Sequence, residues 1–163
     1  MTIKTFTLNT NSGLKKKYIL NPGTSTTNIM LGCSFDIPNF SVENGARLRI
    51  TNISHEGGVL QCLIYIRDIS FNSSLYYTSD GSYPLLFSGN LGNNQPQIYL
   101  KNTLTLNKQS INYINFVFSD SLIDINSGIP NATISTTSPY DETGNIRNLI
   151  ITLEIEEEEI KNG

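Results

Sequence analysis

The chain has 163 residues, one domain at roughly 150 residues apiece, and a domain of that size buries about two-thirds of its unfolded surface, so its core needs no disulfide or metal. Only 15% of the residues are charged, against about 25% in an average soluble domain, while a 38% hydrophobic fraction with 7 Phe and 8 Tyr excludes intrinsic disorder. The net charge is −3, but Glu154, Glu156, Glu157, Glu158 and Glu159 gather at the C-terminus, so the body is nearly neutral; that excludes the basic stripe of a nucleic-acid binder, and no apolar run reaches the ~20 residues of a membrane-spanning helix.

In chain order, the opening MTIKTFTLNT has no apolar h-region, so no secretory leader is expected. Residues 3–8 and 17–20 are weak strand candidates, and residues 1–20 read as an N-terminal arm or first strand carrying Lys15, Lys16 and Lys17, the one basic cluster. A further weak candidate spans 27–31. Ala46–Thr51 alternates apolar with charged or polar residues, the period-2 pattern of a half-buried strand. Val59–Ile66 is apolar on both faces, which predicts a central strand covered on both sides. Weaker candidates follow at 75–78, 84–87, 97–101, 103–106 and 132–136. In Ile111–Phe118 the alternation puts Ile114, Phe116 and Phe118 on one face, with Ile111, Tyr113, Asn115 and Val117 on the other. The last strand sets Leu149, Ile151, Leu153 and Ile155 against Ile150, Thr152, Glu154 and Glu156. Turn signals such as Glu43-Asn44-Gly45, Ser79-Asp80-Gly81 and Glu142-Thr143-Gly144 separate these runs. No dozen-residue window carries a helical apolar stripe. The expected fold is all-β: a single antiparallel β-sandwich of about eight strands over 21–156, closed by a short acidic tail at 157–163. The glutamates after Ile155 cannot bury, and they keep the strand's end from pairing with another chain.

Catalytic signals are weak. His55 is the only histidine, and its neighbour Ser54 points away from it on an extended chain. Asp120, Asp124 and Asp141 sit at strand ends or loops, with nothing to hold two of them at a glycosidase separation. Asp124-Ile125-Asn126-Ser127-Gly128 resembles half of a calcium loop, but its twelfth position is Ser135, not a bidentate acid. Cys33 and Cys62 are expected to be buried free thiols, and no Cys/His spacing suggests zinc. Neither an enzyme nor a cofactor is expected. The segment 71–87 is more informative, because it crowds Phe71, Tyr76, Tyr77, Tyr83 and Phe87 among small polar residues. That composition suits recognition surfaces, and it suits equally a loop packing its own rings over one end of the sandwich.

Two segments carry a family resemblance. Ile111-Asn112-Tyr113-Ile114-Asn115-Phe116-Val117-Phe118-Ser119-Asp120-Ser121-Leu122-Ile123-Asp124-Ile125 and Asn148-Leu149-Ile150-Ile151-Thr152-Leu153-Glu154-Ile155 lie in the last third of the chain. Together they resemble the end of the single jelly-roll penton and minor capsid proteins of large eukaryotic DNA viruses and their virophage relatives. The resemblance implies a jelly-roll sandwich and a structural role in the virion, with assembly in the host cytoplasm. It implies a homo-oligomer, five copies closing a head-to-tail ring at a vertex, beside a major capsid protein. The arm with Lys15, Lys16 and Lys17 would reach neighbouring capsomers. The alternative is a sugar- or receptor-binding sandwich, lectin-like or a spike head, using the aromatics of 71–87.

Overall fold

The computed structural model describes residues 1–10, 16–20, 30–55, 60–73, 83–91, 97–119 and 148–158. They form eleven strands: β1 (Thr2–Asn9), β2 (Lys16–Leu20), β3 (Met30–Val42), β4 (Arg47–His55), β5 (Leu60–Arg67), β6 (Phe71–Ser73), β7 (Leu85–Leu91), β8 (Gln97–Lys101), β9 (Leu104–Leu106), β10 (Gln109–Ser119) and β11 (Leu149–Glu157). Sheet I runs β1-β11-β4-β9-β6 and sheet II runs β2-β3-β10-β5-β7-β8. Every pairing is antiparallel.

Three strands, β2, β6 and β8, extend sheet edges. The other eight, renumbered 1–8 along the chain, lie in the orders 1-8-3-6 and 2-7-4-5. First pairs with last, second with seventh, third with sixth, fourth with fifth. That is one long antiparallel ribbon wound over itself into two sheets, an order consistent with a jelly roll. Residues 2–9 and 16–20, expected as an arm or first strand, form the edge strands β1 and β2.

The core lies between the sheets. Leu149, Ile151, Leu153 and Ile155 of β11 meet Phe35, Phe87, Phe116, Phe118, Ile64 and Ile66 from sheet II. The β5 expectation is met on both faces. Cys62, Ile64 and Ile66 enter the main core, while Leu63 and Tyr65 join Leu85 and Val117 in a second buried cluster on the far side of sheet II.

The structure corrects two expectations for single residues. Simple alternation sets Ile111 opposite Ile114, yet both belong to the main core. The cause is a register shift: Ile111 opposes Phe40 while Tyr113 opposes Asp36, so Ile37, Pro38 and Asn39 face Asn112 alone. A bulge of this kind re-aims side chains, and β3 changes parity at the same point, from Phe35 and Ile37 to Phe40 and Val42. Glu156, expected among the glutamates that cannot bury, is only 8% exposed. Its charge is met by Arg47 at 2.7 Å and Arg49 at 3.5 Å.

One end of the sandwich is stapled by short connections. Gly45 adopts φ 92°, a left-handed conformation open to glycine at little cost, and its N–H donates to Leu106 O at 2.9 Å. The Lys108 N–H donates to Asn44 Oδ1 at 2.6 Å. Gln109 imitates a strand partner for Ser70: its Oε1 accepts the Ser70 N–H at 3.1 Å and its Nε2 donates to Ser70 O at 2.6 Å. These contacts tie the β3–β4, β5–β6 and β9–β10 connections together.

Candidate functional site

Of the five aromatic residues singled out in 71–87, the two phenylalanines turn toward the core. Phe87 is fully buried on the inner face of β7, and Phe71 packs against the same core from β6 in the other sheet. A ring with no solvent exposure cannot meet a ligand, so Phe87 is a core residue, and half-buried Phe71 is a rim of that core. Tyr83 packs against the second cluster, with the Arg67 guanidinium 5.5 Å from its ring centroid. Tyr76 and Tyr77 lie outside the described residues.

The same holds for Lys15, Asp120, Asp124 and Asp141. The backbone of Lys16 and Lys17 is paired in β2, opposite Ser34 and Cys33. His55 closes β4 with Nδ1 2.9 Å from Asn148 O, a contact that fastens the start of β11. Among the described residues no three His, Cys, Asp or Glu side chains gather as a metal site, and no helix is long and apolar enough to cross a membrane.

Cys33 and Cys62 are buried free thiols. Cys33 pairs with Phe116, which pairs with Ile66, four residues from Cys62 and two strands away from Cys33. At ~4.8 Å per strand and ~3.4 Å per residue, that offset far exceeds the ~7 Å limit for a disulfide. Burial pushes the Cys62 thiol well above the ordinary thiol range. We therefore expect no reaction with a soluble aromatic disulfide in the native protein and release of both thiols once denaturant unfolds it. Rapid labelling of either thiol under native conditions would contradict this packing.

Where β5 parts from β10, beyond the Arg67↔Asn115 pair, a cleft of about 50 Å³ is lined by 66–69 and 109–115. Asp68 sits beside it at φ 59°, a left-handed conformation that Asp tolerates better than most residues. Its Oδ2 accepts from Asn115 Nδ2 at 2.6 Å and lies 3.4 Å from Arg67 Nε. The carboxylate thus anchors the corner where the chain leaves sheet II for sheet I, and the cleft has room for a few waters.

Larger and flatter features dominate the surface. On the outer face of sheet I, Arg47 opposes Glu156 and Arg49 opposes Glu154 in register, each pair closing at 2.7 Å. The arginine side chains stay 45% and 43% exposed, so each pair contributes at most about 1 kcal/mol, and their main effect is to neutralise the face. The sequence carried a signal for this ladder in the period-2 spacing Arg47-x-Arg49 and Glu154-x-Glu156. Pairing distant strands was what reading it required. Exposed Ile3 and Ile150 lie on the same sheet, and exposed Ile98 and Tyr99 lie on β8. Comparison of the chain with protein-family models, with curated proteins and with solved structures returns no match.

Proposed function

We propose that this chain is a structural capsid component of a DNA virus, built on a single jelly roll and assembling as a homopentameric vertex protein or serving as a minor capsid protein. The observation that carries the reading is the strand order, a ribbon wound into 1-8-3-6 and 2-7-4-5. Its closing strand, one of the two segments whose sequences together resemble the penton and minor capsid proteins, lies between β1 and β4. Fold alone does not dictate function, so the surface must also suit the role. An ion-paired, nearly neutral outer face avoids the repulsion that several like-charged copies around a vertex would accumulate. Partners on this reading are further copies of the chain and a major capsid protein, in a virion assembled in the host cytoplasm. The sugar- or receptor-binding alternative has less support, because Phe71 and Phe87 are committed to the core.

The test is the solution mass of the purified protein by light scattering over a concentration series, with electron microscopy of any assembly. A multiple of five 18.1 kDa chains with fivefold averages is the expected result. A chain that forms no fivefold assembly at any soluble concentration and binds a sugar on a glycan array overturns the reading.

A further inference from the structure

β1 ends sheet I, and no described strand lies on its other side. Its register with β11 runs unbroken from Thr2↔Glu157 to Asn9↔Ile150. Thr10 extends that register, its N–H donating to Leu149 O at 3.0 Å. In an antiparallel ladder, hydrogen-bonded pairs recur at every second residue. The even residues of β1 therefore exchange bonds with β11, while the N–H and C=O groups of Ile3, Thr5 and Thr7 point off the sheet.

Natural edge strands are usually blunted by shortness, proline, a bulge or an outward lysine. β1 uses none of these devices. It has eight residues, against five in β2, five in β8 and three in β6 at the other sheet edges. It contains no proline and no register shift. Its one lysine, Lys4, stays by the rim of the sandwich, with Nζ 4.4 Å from the Phe40 ring centroid.

We propose that the β1 edge docks a second copy of this chain, the two β1 strands pairing antiparallel about a twofold axis near Phe6 so that sheet I continues from one copy into the next. Twofold contacts use the same patch twice, so the patch must complement itself, and β1 does. With Thr5 opposite Thr7 of the second copy, Phe6 meets Phe6 and Lys4 meets Leu8. The two lysines are then about 13 Å apart along the strands, beyond the ~10 Å screening length at 0.1 M salt. Phe6 is only partly buried in the single chain, stacked on Phe40 with centroids 5.4 Å apart, and a second Phe6 would cover its open side.

The inference rests on the self-assembling reading but concerns a different contact from a head-to-tail ring, so the two can fail separately. The experiment is amide hydrogen exchange of the full chain, resolved to single residues, at low and high concentration, beside the solution mass. We expect an even number of copies, two or ten, with exchange at Thr5 and Thr7 slowed at least about tenfold on assembly. Thr5→Pro removes an N–H that the chain's own sheet does not use, so the variant should keep its strand content while halving the number of copies. Hydrogen exchange in the unaltered chain decides the matter should that variant fold poorly. Five copies with fast exchange at Thr5 and Thr7 would overturn the edge contact and leave the vertex reading standing. Two copies with slowed exchange would support the edge contact and count against the ring. Slowed exchange in a monomer would mean the chain covers its own edge, which overturns the proposal, as would a monomer with fast exchange throughout.

Discussion

Phe116→Ala is expected to lower folding stability by about 3–5 kcal/mol, the upper range for removing one buried side chain. Phe116 lies in β10, flanked in register by Cys33 of β3 and Ile66 of β5, with no solvent exposure. Its ring meets Phe35 edge-on at 6.1 Å and Phe118 at 6.1 Å. Both flanking strands are held by backbone ladders, so the walls cannot move in to fill the space left by the ring. The loss therefore combines lost burial with a persistent cavity. A domain of this size has only about 5–15 kcal/mol of net stability, so the variant should unfold at far lower denaturant. Urea titration followed by circular dichroism measures it, with the slope of the transition unchanged. Phe116→Leu, which keeps most of the volume, should lose clearly less. A drop below about 1.5 kcal/mol for the alanine variant would mean that the ring does not sit between the two sheets.

Gly89→Ala should cost about 1–3 kcal/mol, a large effect for the addition of one methyl group in a strand. A Cβ at Gly89 would lie 2.6 Å from the backbone oxygen of Gln97, 3.2 Å from Phe87 Cζ and 3.3 Å from Ile98 Cα. The nearest atom is main chain, which cannot rotate aside as a side chain can. It belongs to β8, whose pairing with β7 shifts register between Ser88 and Gly89. The methyl must therefore push the edge strand away or force the bulge to open. Besides a lower midpoint, the β8 amides should exchange faster than those of β10. Ser88→Ala, one residue away, should stay within about 0.5 kcal/mol of the original chain. Equal stability of the Gly89 and Ser88 variants would sink the argument that β8 closes on the glycine.

Much of the sandwich was legible because burial on a strand leaves a period-2 imprint. β4, β10 and β11 fell where alternation put them, β5 where a run apolar on both faces put it, and β8 and β9 where weaker candidates stood. Most of β3 was not legible. Leu31–Val42 contains Pro38, and its inward residues change parity between Ile37 and Phe40. Proline and broken alternation both argue against a strand when read locally. The fold tolerates both because β2 pairs β3 only from Met30 to Ser34, and the β10 register skips at the same place. The orientation of the two phenylalanines in the aromatic segment was illegible for a related reason. A cluster in sequence does not say which rings turn inward, and Phe71 and Phe87 ended up in different sheets.

By itself, the sequence determined the class of the fold, its two-sided central strand, its free buried thiols and a near-neutral surface. These depend on composition and on spacing within single strands, which any neighbour arrangement must respect. The tertiary structure alone decided which strands lie side by side. From that choice came the Arg47–Glu156 and Arg49–Glu154 ladder, the Gln109 staple on Ser70, the depth of Glu156 and a β1 edge that no described strand covers. Each couples residues roughly 40 to 110 positions apart or depends on the order of the described strands, and no local pattern encodes a partner that far along the chain.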